Sequence, residues 1–369
     1  MGADTRRLTA SERAWVSTRA YLREQRSALD TAAAANYPRA LRAGDSALLT
    51  RREWTPAAPL RLESIALEWS PETSGASAAS LPSSALPIRE SGEPYETYAE
   101  AVGEIAAPAV FENRPTYRLL SADLSTSSPT MRFGIGHYFD GVNVGEAAAH
   151  EFASAHRGHA TGSGGVRSAI ADPCDLTQRP ANLAISTLTI RRDADSGARS
   201  FLLHWRDPRK VGHAGGMYQV VPVGIFQPSG YAEWNASNDF SLWRSMVREF
   251  AEELCGVSED HGSEEAPIDY TSWEFAARME RARREGTVTA YCLGLGVDPL
   301  SYATDLLTAV VIDGPVFDSL FGATVTSNAE GRVLELQPFT TDQVERFLAD
   351  HPVQAAGVAA LRLAVSQLD

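Results

Sequence analysis

The stretch 239–257, DFSLWRSMVREFAEELCGV, limits what this chain can fold into more than any other. Leu242, Met246, Phe250 and Leu254 recur at helical spacing, so it reads as a helix with one buried stripe. Glu249, Glu252 and Glu253 stand at i, i+3 and i+4 and share a face of that helix. Such a helix packs on a body on one side and shows a dense acidic patch on the other.

The body it needs is legible around it. Residues 288–297 (VTAYCLGLGV) and 306–312 (LLTAVVI) read as buried strands. Residues 184–192 and 200–205 are β-rich runs separated by the Asp-Ser-Gly turn chemistry of 193–199, a hairpin pattern. Residues 218–226 (YQVVPVGIF) read as one further strand, and 341–349 and 354–368 as helices. The order is hairpin, strand, helix, two strands, helices: an α+β chain with a mixed sheet and helices packed on it.

Upstream the pattern is looser. Residues 9–44 are helical, with Thr9 or Ser11 as cap and Glu12 in the first turn. Arg6, Arg7, Arg13, Arg19, Arg23 and Arg26 make this segment basic. It serves either as a docking or homodimer element or as an amphipathic helix packed on the body, and the second reading is preferred. Residues 59–69 alternate in places like a strand, and 70–87, rich in Ser, Ala and Pro, read as a loop or linker. A smaller α/β region follows: a helix at 98–109, strands at 115–123 and 130–135, and a helix at 145–155. Three segments result, 1–90, 91–183 and 184–369.

Totals exclude several classes. A net charge of −14 argues against a general nucleic-acid binder, which needs a positive footprint, and suits a protein that holds cations, although acidity also serves solubility alone. No apolar run is long enough to cross a membrane, so a cytoplasmic protein is expected. Cys174, Cys255 and Cys292 match no zinc spacing and read as thiols in a reducing compartment. Lys210 is the only lysine among abundant arginine and alanine, as a GC-rich, bacterial genome would give. His150-Glu151 lacks the second histidine that HExxH needs at 154, and the glycine-rich 158–165 carries no phosphate-loop signature.

Three carboxylates on neighbouring helical turns repel one another, and their pKa values rise unless something neutralises them. Mg²⁺ or Mn²⁺ does this through oxygen ligands, keeping waters and substrate phosphate oxygens in its shell. Arg248, four residues before Glu252, is placed to pair with it. Arg206, Arg209, Lys210 and His213 precede Gly215-Gly216, where cations can meet phosphates; a polar turn after a strand explains them equally well. Trp205, Tyr218, Phe226 and Trp234 can stack a base or fill a core. Glu233, Glu259, Glu264, Glu265 and Glu335 are further acids among which the sequence does not choose.

Arg248-Glu249-Phe250-Ala251-Glu252-Glu253 resembles the heart of the Nudix box, R-E-U-x-E-E, with Gly256-Val257 near its closing Gly-U. The resemblance implies a Nudix-like α/β/α sandwich and a hydrolase that splits nucleoside diphosphates linked to another moiety, a pyrophosphatase using Mg²⁺ or Mn²⁺. It implies Glu252 and Glu253 as metal ligands, Glu249 as ligand or water-activating base, Arg248 as the orienting arginine, and Arg206, Lys210, Gly215 and Gly216 as substrate contacts. The full box is G-x5-E-x7-R-E-U-x-E-E-x-G-U. Here Phe240 and Trp234 occupy its upstream glutamate and glycine positions, and closure comes one residue late. These departures keep a second reading open: an eroded module of the same fold that senses a nucleotide-like metabolite or a protein partner. An ordinary surface helix with its acids in solvent is the plain alternative. His150-Glu151-Phe152-Ala153 echoes Arg248–Ala251, which raises a degenerate internal copy of the fold.

Overall fold

The computed structural model describes residues 7–71, 86–108, 110–159, 164–207, 215–322 and 331–368. The two apolar runs form the centre, as antiparallel strands Val288–Val297 and Thr304–Asp313. Thr304–Asp313 runs parallel to Leu183–Arg192, so the sheet is mixed. Its order is Leu60–Arg61, Val288–Val297, Thr304–Asp313, Leu183–Arg192, Arg199–Phe201, Gln337–Pro338. Val223–Ile225 also pairs with Leu183–Arg192, covering Ala184 to Ser186 beyond the stretch taken by Arg199–Phe201.

Side-chain alternation on the central strand sends residues to two cores. Leu306, Val310 and Ile312 pack in a core with Met246, Phe250 and Met279, from helices Leu242–Cys255 and Glu274–Glu285. Leu307, Ala309 and Val311 pack on the other face with Val344, Phe347, Ala360 and Leu361, from helices Thr341–Asp350 and Ala355–Gln367. Each large apolar side chain so buried contributes roughly 1.5–3 kcal/mol. The buried stripe expected at Leu242, Met246, Phe250 and Leu254 is therefore what fixes the acidic helix to the sheet.

Four expectations change in detail. The run 200–205 divides at Leu202 into Arg199–Phe201, which pairs with Leu183–Arg192, and Leu203–Arg206, which lies in another sheet. The run 218–226 is two strands, Tyr218–Val220 and Val223–Ile225, in different sheets. Pro222 has no N–H to give to a ladder, so a continuous strand cannot pass through it. Residues 9–44 form two helices, Ala10–Glu24 and Arg26–Ala34, that meet at Gln25, followed by short 3₁₀ turns. Thr9 and Glu12 cap the first reciprocally. The helix expected at 98–109 stops at Ile105, shortly before Pro108.

The upstream region is packed on the body. Strands Ala66–Trp69, Thr130–His137 and Pro115–Asp123 make a separate three-stranded sheet. One core takes in Trp15, Tyr98 and Phe133 together with Phe250 and Val310. Leu22, Leu29 and Ala33 of the N-terminal helices bury against Ala149, Ala153 and Leu300. The small sheet, with its parallel pair Ala66–Trp69 and Thr130–His137, does not repeat the topology of the large one, which removes the idea of an internal copy. His150, the head of the supposed echo, is buried, stacks on Trp15 and accepts or donates at Tyr98 Oη. The linker residues 72–85 lie outside the described residues. Among the described residues no helix is long and apolar enough to cross a membrane.

Candidate active site

The acidic helix begins where Ser241 Oγ accepts the Arg244 N–H at 3.3 Å. It ends at Gly256, which takes the left-handed conformation at φ 69° and lets Val257 N–H reach back to Ala251 O at 3.0 Å. The late closure seen in the sequence is thus one extra residue of helix before its glycine stop.

At roughly 100° per residue, Glu252, Glu249 and Glu253 fan in that order over an arc of roughly 100°. Glu249, in the middle, and Glu252 line a cavity of ≈ 460 Å³. Glu252 Oε1 meets His261 Nε2 at 2.9 Å. Glu253, on the other flank, is turned onto the neighbouring strand. Its Oε1 accepts the Val223 N–H at 2.6 Å, and Oε2 lies 3.8 Å from His204 Nδ1. The three acids expected to act together are therefore split, two toward the cavity and one toward the sheet. Among the described residues no group of three or more His, Cys, Asp or Glu side chains is placed to hold a metal ion.

Glu249 is held well above the usual carboxylate range, by burial first and then by the charges of Glu252 and Glu253, with Arg248 opposing. Its carboxylate lies over the backbone of Gly224, where a Cβ would collide with it. Gly224 belongs to the strand Val223–Ile225 and also lines the cavity. The absence of a side chain there is what lets the carboxylate reach the floor.

Arg248 is buried and does not pair with Glu252. Nη1 donates to Tyr270 Oη at 2.7 Å, Nη2 donates to Gln227 O at 2.7 Å, and Asp239 Oδ1 stands 3.5 Å away. Tyr270 Oη donates in turn to Asp239 Oδ1 at 2.7 Å. Although i, i+4 spacing allows an Arg248–Glu252 pair, fully buried Asp239 with a tyrosine and a carbonyl takes the guanidinium, and Glu252 is met by His261 instead. The arginine anchors the helix to the loops at 227 and 270, and His261 is the partner that orients Glu252.

Of the expected substrate contacts, Arg206 lines the cavity. Gly215 and Gly216 do not. Gly216, at φ 84°, turns the chain between strands Leu203–Arg206 and Tyr218–Val220 and donates its N–H to Arg206 O at 2.8 Å. Lys210, with Arg209 and His213, lies outside the described residues. Phe226 is core, stacked on Phe240, and Tyr218 packs edge-on to Phe347. Glu259 is the one of the five further acids that lines the cavity, and it stands 3.9 Å from Arg114.

Sequence reasoning missed His261, Gly224, Arg114 and, at the cavity's far wall, Arg26 and Asp30 of the N-terminal helix. His261 sits in an acidic turn, SEDHGSEE, with no periodicity to single it out.

No protein-family model matches the chain, and no curated protein does. Among solved structures, a Nudix hydrolase from Alicyclobacillus acidocaldarius is similar at 17% identity, over 50% of this chain and 91% of that one, with a TM-score of 0.30. The Nudix hydrolase RenU from M. smegmatis is similar at 15% identity, over 49% and 81%, with a TM-score of 0.25.

Proposed function

We propose that the cavity is the active site of a Nudix-type hydrolase, in a Nudix-like α/β/α sandwich, that splits a nucleoside diphosphate-linked small molecule. The observation that carries this reading is that Glu249, Glu252, His261, Arg114 and Arg206 line one cavity of ≈ 460 Å³. That volume lies within the roughly 300–1,000 Å³ of small-molecule sites. Guanidinium groups match phosphate oxygens in geometry and charge, so Arg114 and Arg206 are the groups that would receive a diphosphate.

Burial and the charges of Glu252 and Glu253 raise the Glu249 pKa, which favours its neutral form until a cation offsets those charges. Glu252 and His261 serve better as the base. With Nε2–H donated to Glu252, the lone pair of His261 lies on Nδ1 and can take a proton from water. The water oxygen then bonds to phosphorus, the bridging P–O bond breaks, and the departing phosphate oxygen leaves as an anion beside the arginines. Mg²⁺ commonly uses only one or two carboxylates together with waters and substrate phosphates, and Glu249 with Glu252 fit that demand. Bound there, Mg²⁺ or Mn²⁺ would offset the diphosphate charge as it builds up.

The second reading, a module that binds a nucleotide-like metabolite without hydrolysing it, is favoured by the engagement of Glu253 with Val223 N–H. One experiment separates the two. The protein is incubated with ADP-ribose, NAD, dinucleoside polyphosphates, nucleotide sugars and dNTPs, each with Mg²⁺ or Mn²⁺, and phosphate-containing products are measured. Hydrolysis of one class, falling by roughly 10²–10⁴-fold in Glu252→Gln, supports the hydrolase. Thermal stabilisation by a panel member without any product supports the binding module.

A further inference from the structure

The cavity does not end at the acidic helix. Its far wall is made by Arg26 and Asp30 of the N-terminal helix Arg26–Ala34, by Asp298 in the turn between the two central strands, and by Asp305 on Thr304–Asp313. All four side chains are buried. Arg26 Nε donates to Asp30 Oδ1 at 2.7 Å, and its Nη2 pairs with Asp298 Oδ2. Asp305 Oδ1 accepts Ser186 Oγ at 2.8 Å. Two carboxylates thus hold one guanidinium, and a third, Asp305, lines the same wall with its own partner in Ser186.

A second observation points to a ligand. Gln219 is 4% exposed and lines the same cavity. Its Oε1 accepts from Gln354 Nε2 at 2.7 Å, while its own Nε2 has no hydrogen-bond partner among the described residues. A buried amide donor left unmade costs about 1–3 kcal/mol, a cost that a bound acceptor would remove.

We propose that this wall is a subsite for a hydroxyl-bearing, sugar-like group, and that the N-terminal helix completes it. The proposal rests on the hydrolase reading for the identity of the whole ligand, since the phosphates would lie toward Glu249 and the sugar toward Asp305. A hydroxyl both donates and accepts, which suits a wall that offers carboxylate acceptors and an amide donor together. A simple cation would use the carboxylates and leave the Gln219 donor unmet. Burial raises Asp30 to about 7 and Asp305 to about 6, so near neutral pH each can also share a proton with a hydroxyl. Through Arg26 and Asp30, the helix Arg26–Ala34 takes part in the site.

The test uses the full chain and two probes that differ by the sugar alone, ribose 5-phosphate and inorganic phosphate, with affinities measured by calorimetry. The wild type is expected to bind ribose 5-phosphate roughly tenfold more tightly, one or two hydrogen bonds' worth. Asp305→Asn keeps an acceptor for Ser186, and Gln219→Met keeps the volume; each should bring the ratio toward one with the melting temperature held. Equal affinities in the wild type, no binding of either probe, or an unchanged ratio in both variants would overturn the subsite. Preference for a diamine such as putrescine over ribose 5-phosphate would overturn the hydroxyl assignment. A sugar preference that persists while no nucleotide is hydrolysed would uphold the subsite and count against the hydrolase alone.

Discussion

Replacing Gly224 with alanine separates the placement of Glu249 from the stability of the sheet. A Cβ at this position would fall on the Oε1, Cδ and Oε2 atoms of Glu249. The backbone itself is no obstacle, because Gly224 is not one of the glycines with positive φ. The atoms in the way are the tip of a flexible side chain, so the carboxylate yields and the strand stays. On stability two small terms oppose one another. The loss of unfolded-chain freedom favours the variant by about 0.4–1 kcal/mol, and an off-rotamer Glu249 costs about 0.5–1.5 kcal/mol. Their balance lies within about 1 kcal/mol, a change of only a few degrees in Tm for a chain of this size. On activity the effect is large, because a displacement of about 1 Å in a catalytic constellation costs on the order of 10²-fold. Thermal melting together with turnover of whichever panel substrate the wild type hydrolyses measures both. Full activity in Gly224→Ala would refute the placement of Glu249. A fall in Tm beyond about 10 °C would show that the strand, and not the side chain, had given way.

Further expectations follow from single contacts. Glu249 has a folded pKa above its unfolded value of about 4.3, so its contribution to stability is full below that pH and is lost as pH rises through the folded pKa. Glu249→Gln should match the wild type in urea melts near pH 4 and exceed it at pH 8; an offset that does not change with pH would count against the raised pKa. Arg248→Met leaves buried Asp239 without its guanidinium, and a loss of about 3–5 kcal/mol in urea denaturation is expected, against less than 1 kcal/mol if the pair were of no consequence. Gly256→Ala forces a Cβ into the left-handed region and should cost about 1–2 kcal/mol, with the helix content by circular dichroism unchanged; no loss would mean that the helix stop lies elsewhere.

The sequence discloses this fold where the signal is local. The strands at 288–297 and 304–313 stand out because they are continuously apolar, and the acidic helix because a cap, a period and a glycine stop agree. The split of 218–226 also has a local mark, Pro222, which a β-rich run of apolar residues masks. The site is less legible, because its geometry is decided by distant partners. Spacing alone places Glu249, Glu252 and Glu253 on one face, but Val223 N–H draws Glu253 to the sheet and His261 holds Glu252. Arg248 is recognisable as a helix-borne arginine, while its partners at 227, 239 and 270 come from three separate loops. Arg26 and Asp298 are 272 residues apart in the chain, and nothing in either neighbourhood announces that they meet.

The proposed site can be read directly by diffraction from crystals soaked in Mn²⁺, using the metal's anomalous signal. A Mn²⁺ peak is expected in the cavity between Glu249 and Glu252, with His261 still on Glu252. A peak only elsewhere, or none while Glu249 and Glu252 stay as they are, would contradict the proposed site.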